Sequence, residues 1–310
     1  MRIVFFGSPQ AAVPSLEKLL EAGHSIELAI TQPDRPSGRG KKLCSPPVKE
    51  AAQRRGIPVL QPEKIRTDEL ALEALKKVGP DINIVVAYGQ ILPASIINLP
   101  RYKSINVHFS LLPKYRGAAP VQWAILNGEK KTGVTIFELN ERMDEGDTLA
   151  YLETEIGTTE NAGQLEQRLS RLGADLLVKT LTRIDEIPRL PQDQAKATSA
   201  PRLRKDQGAI AWTGDAFLID RMVRAFSPWP GAFTYWQGRR ITIHAGSPLR
   251  SQLRHGEPGR VVEVQKEGLV VACGEGTAYR IERLQKENRK EMAAADFLRG
   301  TRLEIGDFLG

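Results

Sequence analysis

Cysteine is nearly absent: Cys44 and Cys273 are the only two in 310 residues. Two thiols so far apart in sequence make neither a disulfide framework nor a metal-binding pattern. Histidine is scarce as well. His24, His108, His244 and His255 show no helical pairing and have no cysteine close by, so the spacing of a structural zinc site is missing. No metal is expected. No apolar run is long enough to cross a bilayer, and the residues from Met1 to Gly7 lack the anatomy of a secretory signal. A cytoplasmic, reducing location without a membrane partner is the expectation. No internal repeat is visible. Gly7 opens no G-x-G-x-x-G, so the first strand and turn carry no dinucleotide fingerprint.

What is present is the balance of a soluble globular protein, 41% hydrophobic and 26% charged, at a length that suits two domains. The first half alternates apolar strand-like runs with amphipathic stretches. Strands are predicted at 3–6, 26–30, 59–60, 82–87, 104–108, 133–139 and 148–155. Helices are predicted at 11–22, 47–55, 68–77, 120–126 and 161–184. The early strands are continuously apolar, as a sheet covered on both faces requires. The fold class is therefore α/β, an open, mostly parallel, Rossmann-like sheet. Residues 188–205 are rich in Pro, Gln, Ala and Arg and read as a linker. Beyond them the grammar changes. A short helix at 215–224 precedes alternating strands with glycine turns, and a last helix spans 293–298. That spacing predicts a small β-barrel. The domains are thus 1–187, a linker 188–205, and 206–310.

The densest polar chemistry lies in Asn106-Val107-His108-Phe109-Ser110 and in Met143-Asp144-Glu145-Gly146-Asp147. Asn106 and His108 alternate along one strand, so their side chains leave the same face. Ligand crevices of open α/β sheets lie at carboxyl ends of strands. The loop holding Asp144 follows the next strand and can return a carboxylate to the same edge. An amide, an imidazole and a carboxylate suit acyl transfer to an external amine. The amide or a charged imidazole donates to the acyl oxygen as charge builds there, and the imidazole with its carboxylate handles the amine proton. Singly, a strand-end His is more often packing and an Asp in such a turn is more often turn chemistry; the grouping raises them above that.

The net charge of +7 matters only where it clusters. Arg35, Arg39, Lys41 and Lys42 share one Gly- and Pro-containing loop, with Lys49 in the helix after it. Either this is a solvated surface loop or it contacts phosphates; an insertion so long and cationic favours phosphate contact. Lys196, Arg202, Arg204 and Lys205 follow in the linker, and Arg221, Arg224, Arg239 and Arg240 beyond it. Trp229 and Trp236 read as packing residues rather than base-stacking ones.

With these segments in view, the chain resembles the methionyl-tRNA formyltransferases over nearly its whole length. The resemblance is carried by Phe6-Gly7-Ser8-Pro9, the stretch from Thr31 to Leu43, Val86-Ala87-Tyr88-Gly89, Ile91-Leu92-Pro93, Ser110-Leu111-Leu112-Pro113, Arg116-Gly117-Ala118-Ala119-Pro120, Arg224-Ala225-Phe226 and Pro228-Trp229-Pro230. It implies Asn106, His108 and Asp144 as the catalytic trio. Ser110, Leu111, Leu112, Pro113, Tyr88 and Gly89 would line the folate side, and Arg35, Arg39, Lys41 and Lys42 would contact tRNA. It further implies an OB-like C-terminal barrel, 10-formyltetrahydrofolate as co-substrate, initiator methionyl-tRNA as partner, and a monomer. Phe109 departs from the pattern, where a small residue or proline is expected; its ring either narrows the folate side or faces the core across the strand. Three rival readings stand beside this one: formyl transfer to a small amine, release of formate by activated water, and RNA binding without catalysis.

Overall fold

The computed structural model describes residues 1–37, 42–250, 256–265 and 268–310. The chain divides into two compact units, Met1–Pro120 with Lys131–Glu155 and Glu166–Ala200, and Val121–Lys130 with Ile156–Leu165 and Pro201–Gly310.

In chain order the elements are β1 (Arg2–Gly7), α1 (Val13–Glu21), β2 (Ser25–Ile30), β3 (Arg35–Ser37), β4 (Lys42–Cys44), α2 (Pro47–Arg54), β5 (Val59–Leu60), α3 (Glu69–Val78), β6 (Ile82–Val86), α4 (Ala94–Ile97), β7 (Ser104–His108), α5 (Pro120–Leu126), β8 (Lys131–Glu138), β9 (Thr148–Glu155) and α6 (Ala162–Leu181), followed by α7 (Ala216–Ala225), β10 (Ala232–Trp236), β11 (Arg239–Leu249), β12 (Val261–Gln265), β13 (Gly268–Ala272), β14 (Ala278–Lys286), β15 (Glu291–Ala293) and α8 (Ala294–Arg299).

The first unit is built on a seven-stranded sheet in the order β5-β2-β1-β6-β7-β8-β9. The pairs from β5 to β7 are parallel, and β7–β8 and β8–β9 are antiparallel. Ile3, Val4, Phe5 and Phe6 are all fully buried, which their continuous apolar run required. One face packs Val4, Phe6, Leu28, Ile30 and Val85 with Ala71 and Leu75 of α3 and with Ile96 and Ile97 of α4. On the opposite face Gly173 of α6 lies against Val107 and Val134, and Ser170 donates a hydrogen bond to the Ala11 carbonyl. A Cβ at Gly173 would sit 2.9 Å from the Val107 side chain, so only glycine allows this approach. Local signals agree with the tertiary ones. The Asp68 carboxylate caps α3 by accepting from the Ala71 N–H, and Gly79, at φ +56°, ends it.

The second unit carries a six-stranded antiparallel sheet, β10-β11-β14-β13-β12 with β15 on β14. Strand β11 has two register shifts against β14, at Ala245, and such bulges bend a strand. Its core gathers Trp212, Ile219, Val223, Ile243, Val271, Tyr279, Ile281 and Phe297. Burial pushes the Tyr279 phenol above its ordinary value and the Cys273 thiol up to about 12, so both stay neutral. Trp236 packs edge-on against Phe297, as its packing role predicts, whereas Trp229 stands half exposed. No helix among the described residues is long and apolar enough to cross a membrane.

The stretch expected as a linker is closely bonded at its start. Leu190 and Thr148 exchange backbone hydrogen bonds, and the Ala200 N–H donates to the Arg116 carbonyl. Residues up to Ala200 belong with the first unit and those from Pro201 with the second. The loop expected between β2 and α2 holds the small antiparallel hairpin β3–β4.

Candidate functional site

Strand β7 sets the site. It pairs with β6 in parallel, placing Asn106 beside Val85, and with β8 in antiparallel, placing His108 opposite Thr135 and Asn106 opposite Phe137. Asn106 and His108 therefore share one face at the strand's carboxyl end. Val107 and Phe109 point the other way, toward α6 at Gly173. The Phe109 ring is buried there, which resolves its departure from the family pattern: it occupies the core side of the strand.

His108 is 6% exposed and stands edge-on to the Phe137 ring. Its Nε2 lies 2.9 Å from the Tyr115 carbonyl oxygen. A carbonyl can only accept, so Nε2 carries the proton. Nδ1 lies 3.8 Å from Oδ2 of Asp144, too long for a hydrogen bond but within ion-pair reach. Both ring nitrogens thus face protein groups, and Nδ1 is the one left to take up a proton. The Asn106 Oδ1 is shielded from solvent and has no partner. A buried, unsatisfied amide oxygen is costly, and it fits a site completed by a polar ligand.

Asp144 reaches this point through a strained turn. Its backbone is left-handed, at φ +55°, and its Oδ2 accepts from the Gly117 N–H at 2.8 Å. Gly146 sits so close to β8 that an added Cβ would lie 1.7 Å from the Glu138 carbonyl oxygen. The Glu138 N–H donates to the Asp147 carbonyl, which closes the loop onto the strand. The facing loop is held as firmly. Tyr115 donates its N–H to the Thr198 hydroxyl, and Arg116 donates its own to the Thr198 carbonyl.

The residues expected on the folate side are placed unevenly. The Ser110 hydroxyl is buried and donates to the Lys114 carbonyl, so it is occupied within the turn. Leu111, Leu112 and Pro113 are partly exposed just past β7. The Tyr88 ring is in the core, edge-on to Phe6, and burial raises its phenol well above the ordinary value. What Tyr88 and Gly89 offer beyond β6 is backbone: the Tyr88 carbonyl accepts from Gln32 Nε2 and from the Ser8 hydroxyl, and Gly89 has φ +84°.

Among the basic residues, Arg35 is exposed and paired with Glu63 at 3.0 Å. Arg39 and Lys41 lie outside the described residues. Lys42 begins β4. Lys49 is not a free surface cation: its ammonium contacts both Asp34 carboxylate oxygens, at 2.9 and 2.8 Å, and Gln61 Oε1 at 2.7 Å. Gln61 Nε2 donates to Asp34 as well. These bonds, that of Lys49 first, hold the Asp34 carboxyl below the usual carboxylate range. In the second unit Arg224 pairs with Asp220, and Arg204 pairs with Asp206.

The sequence reading missed Gln192. It falls in a stretch poor in bulky residues, yet it is 8% exposed and joins Arg116 to the Asp144 turn. Only the buried polar character of a single Gln marks it, and no spacing in the sequence reveals that.

Comparison with known proteins defines the class. The family model described as formyl transferase matches residues 1–181, and that described as formyl transferase, C-terminal domain, matches residues 202–302. The methionyl-tRNA formyltransferase of Geobacter metallireducens is 45% identical over 312 residues, covering 100% of this chain and 99% of the relative. That of Syntrophus aciditrophicus is 45% identical over 310 residues, covering 99% and 98%. The chain belongs to the methionyl-tRNA formyltransferase family. Among solved structures, the methionyl-tRNA formyltransferase from Clostridium thermocellum is similar in fold, with a TM-score of 0.57, 18% identity and coverage of 80% of this chain and 93% of that one. HypX from Aquifex aeolicus, solved in complex with tetrahydrofolic acid, has a TM-score of 0.64 and 19% identity, covering 100% of this chain and 50% of its own.

Proposed function

We propose that this formyltransferase moves the formyl group of 10-formyltetrahydrofolate to the α-amino group of methionyl-initiator tRNA. The observation that carries the reading is the meeting of His108 and Asp144 beside Asn106 at the end of β7, in a chain alike end to end with methionyl-tRNA formyltransferases. The folate co-substrate would lie along Leu111, Leu112 and Pro113 and the backbone at Tyr88 and Gly89. The Asn106 carboxamide donates to the formyl oxygen as negative charge builds on it. His108 takes the amine proton on Nδ1, because the Tyr115 carbonyl holds the other nitrogen protonated. Asp144 stabilises the imidazolium that results, which returns the proton to N10 of the folate as the bond from N10 to the formyl carbon breaks and tetrahydrofolate leaves. Holding amine and donor in register supplies the remainder of the rate gain.

Arg35, Arg39, Lys41 and Lys42 would meet tRNA phosphates, and the domain from about residue 206 would add backbone contacts. Residues 1–187 then form the catalytic domain, and the protein acts as a cytoplasmic monomer. The deciding experiment is a formyl-transfer assay with charged initiator tRNA, elongator methionyl-tRNA and a small amine such as an amino sugar nucleotide. Transfer to initiator methionyl-tRNA above both others is expected. Preference for the small amine, or release of formate alone, overturns the reading.

A further inference from the structure

Gln192 uses every hydrogen-bonding position of its carboxamide. Its Nε2 donates to the Asp144 carbonyl at 2.9 Å and to the Gly146 carbonyl at 2.7 Å. Its Oε1 accepts from Arg116 Nε at 3.1 Å and Nη2 at 2.7 Å. The amide can point only one way. Turned over, its nitrogen would face a guanidinium and its oxygen would face two carbonyls. Arg116 is held in turn by Gln194 Oε1 at 2.9 Å and by Glu145 at 3.6 Å.

These contacts close a ring. The Arg116 side chain grips Gln192, Gln192 grips the backbone on both sides of Glu145, and the Asp144 carboxylate returns to the N–H of Gly117, the residue after Arg116. The two carbonyls that Gln192 bridges are those of Asp144, which has the left-handed backbone, and of Gly146 two residues on. A short polar residue tolerates that conformation but does not favour it. Something outside the turn must hold it, and Gln192 supplies two donors at that place. Its side-chain hydrogen bonds go to Arg116, Asp144 and Gly146, not to His108 or Asn106.

We propose that Gln192 is a positioning residue for Asp144. Anchored by Arg116, it fixes the turn that keeps the carboxylate beside Nδ1 of His108. The inference rests on the reading that Asp144 serves formyl transfer by stabilising the His108 imidazolium.

The test is a double-mutant cycle in the full-length enzyme, with steady-state formyl transfer and thermal unfolding as readouts. Gln192→Met keeps length and volume and removes the donors. It should lower kcat about 10- to 100-fold, the range expected when a supporting group lets a catalytic one drift by about an ångström. KM for each substrate should stay within about twofold. Gln192→Glu keeps an acceptor for Arg116 but turns an oxygen on two carbonyls, so its loss of kcat should be larger. In an Asp144→Asn background, Gln192→Met should cost little more, because the carboxylate it positions is gone. Full activity of Gln192→Met overturns the proposal. So does the same fold-loss in both backgrounds, which marks a structural role independent of Asp144. If Asp144→Asn alone keeps native turnover, the reading of the catalytic site fails first, whatever Gln192 does. If Gln192→Glu does not fold, the Met variant carries the cycle alone.

Discussion

The Asp144 turn and the β3–β4 hairpin are both loops that interrupt the same sheet unit, and they are fastened in opposite ways. The turn is tied at every step: the Gly117 N–H on its carboxylate, Gln192 on two of its carbonyls, Asp147 bonded to the end of β8. The hairpin is tied at its base, where Asp34, Lys49 and Gln61 form a compact cluster with Ser45. Along its exposed arm, Arg35 meets Glu63 in a solvent-accessible pair, a contact of little energetic weight. The difference suits the work proposed for each. A group that stabilises charge on a neighbouring ring has to be in place before the reaction begins. A group that meets a phosphate backbone gains from reach and from staying solvated until contact.

That contrast predicts a ranking of effects. The largest belongs to the turn: His108→Ala and Asp144→Asn should each lower kcat about 10²- to 10⁴-fold with little change in the KM for tRNA, measured by steady-state formyl transfer. Near-native turnover in both variants would erase the distinction between the two loops. Replacing Arg39, Lys41 and Lys42 together with Ala should do the reverse. It should leave kcat at saturation nearly intact, raise the KM for tRNA about tenfold, and flatten the dependence of log affinity on log salt by about two to three. An unchanged salt slope removes the hairpin from the RNA interface. The smallest effect belongs to the hairpin's base. Asp34→Asn should raise the KM for tRNA by about twofold to fivefold, in keeping with the loss of one partly accessible ion pair, and leave the folate KM alone. The Asp34 carboxyl is held below the usual range, so the cluster keeps its charge above the ordinary carboxylate value and loses it only as the medium becomes more acidic than that. A loss of folate affinity in this variant would show that the cluster reaches the Tyr88 backbone through Gln32, to which Gln61 also donates.

Much of the fold was readable because burial writes itself into periodicity. The predicted bounds of β7, α5 and β9 coincide with those observed, since each is set off by turn-forming residues or by a clean change of pattern. Asn106 and His108 were placed on one face by strand geometry alone. Three features were not legible. The hairpin β3–β4 is short and lies in a cationic, glycine-bearing segment, and its described side chains at Arg35, Pro36, Leu43 and Cys44 are exposed, so no burial pattern marks it. Tyr88 reads as a site residue from its neighbours, but its ring belongs to the core beside Phe6, and only a three-dimensional view separates its backbone from its side chain. Gln192 stands in a stretch whose composition resembles a tether. Its hydrogen bonds bring together segments 48 residues apart and 76 residues apart in the chain, and no local pattern encodes such pairings.

The left-handed backbone at position 144 filters which side chains the enzyme can carry there, apart from what the reaction needs. Asn shares with Asp a raised tendency to sit in that region of conformational space, which β-branched residues in particular avoid. An amide at this position therefore subtracts a negative charge and leaves the chain path undisturbed. Alanine or glutamate would change stereochemistry and electrostatics at once. On the role proposed for Asp144, a neutral form with the same chain path is in this way one atom away from the active one, which makes position 144 the natural place to attempt to trap the protein with both substrates bound and unreacted.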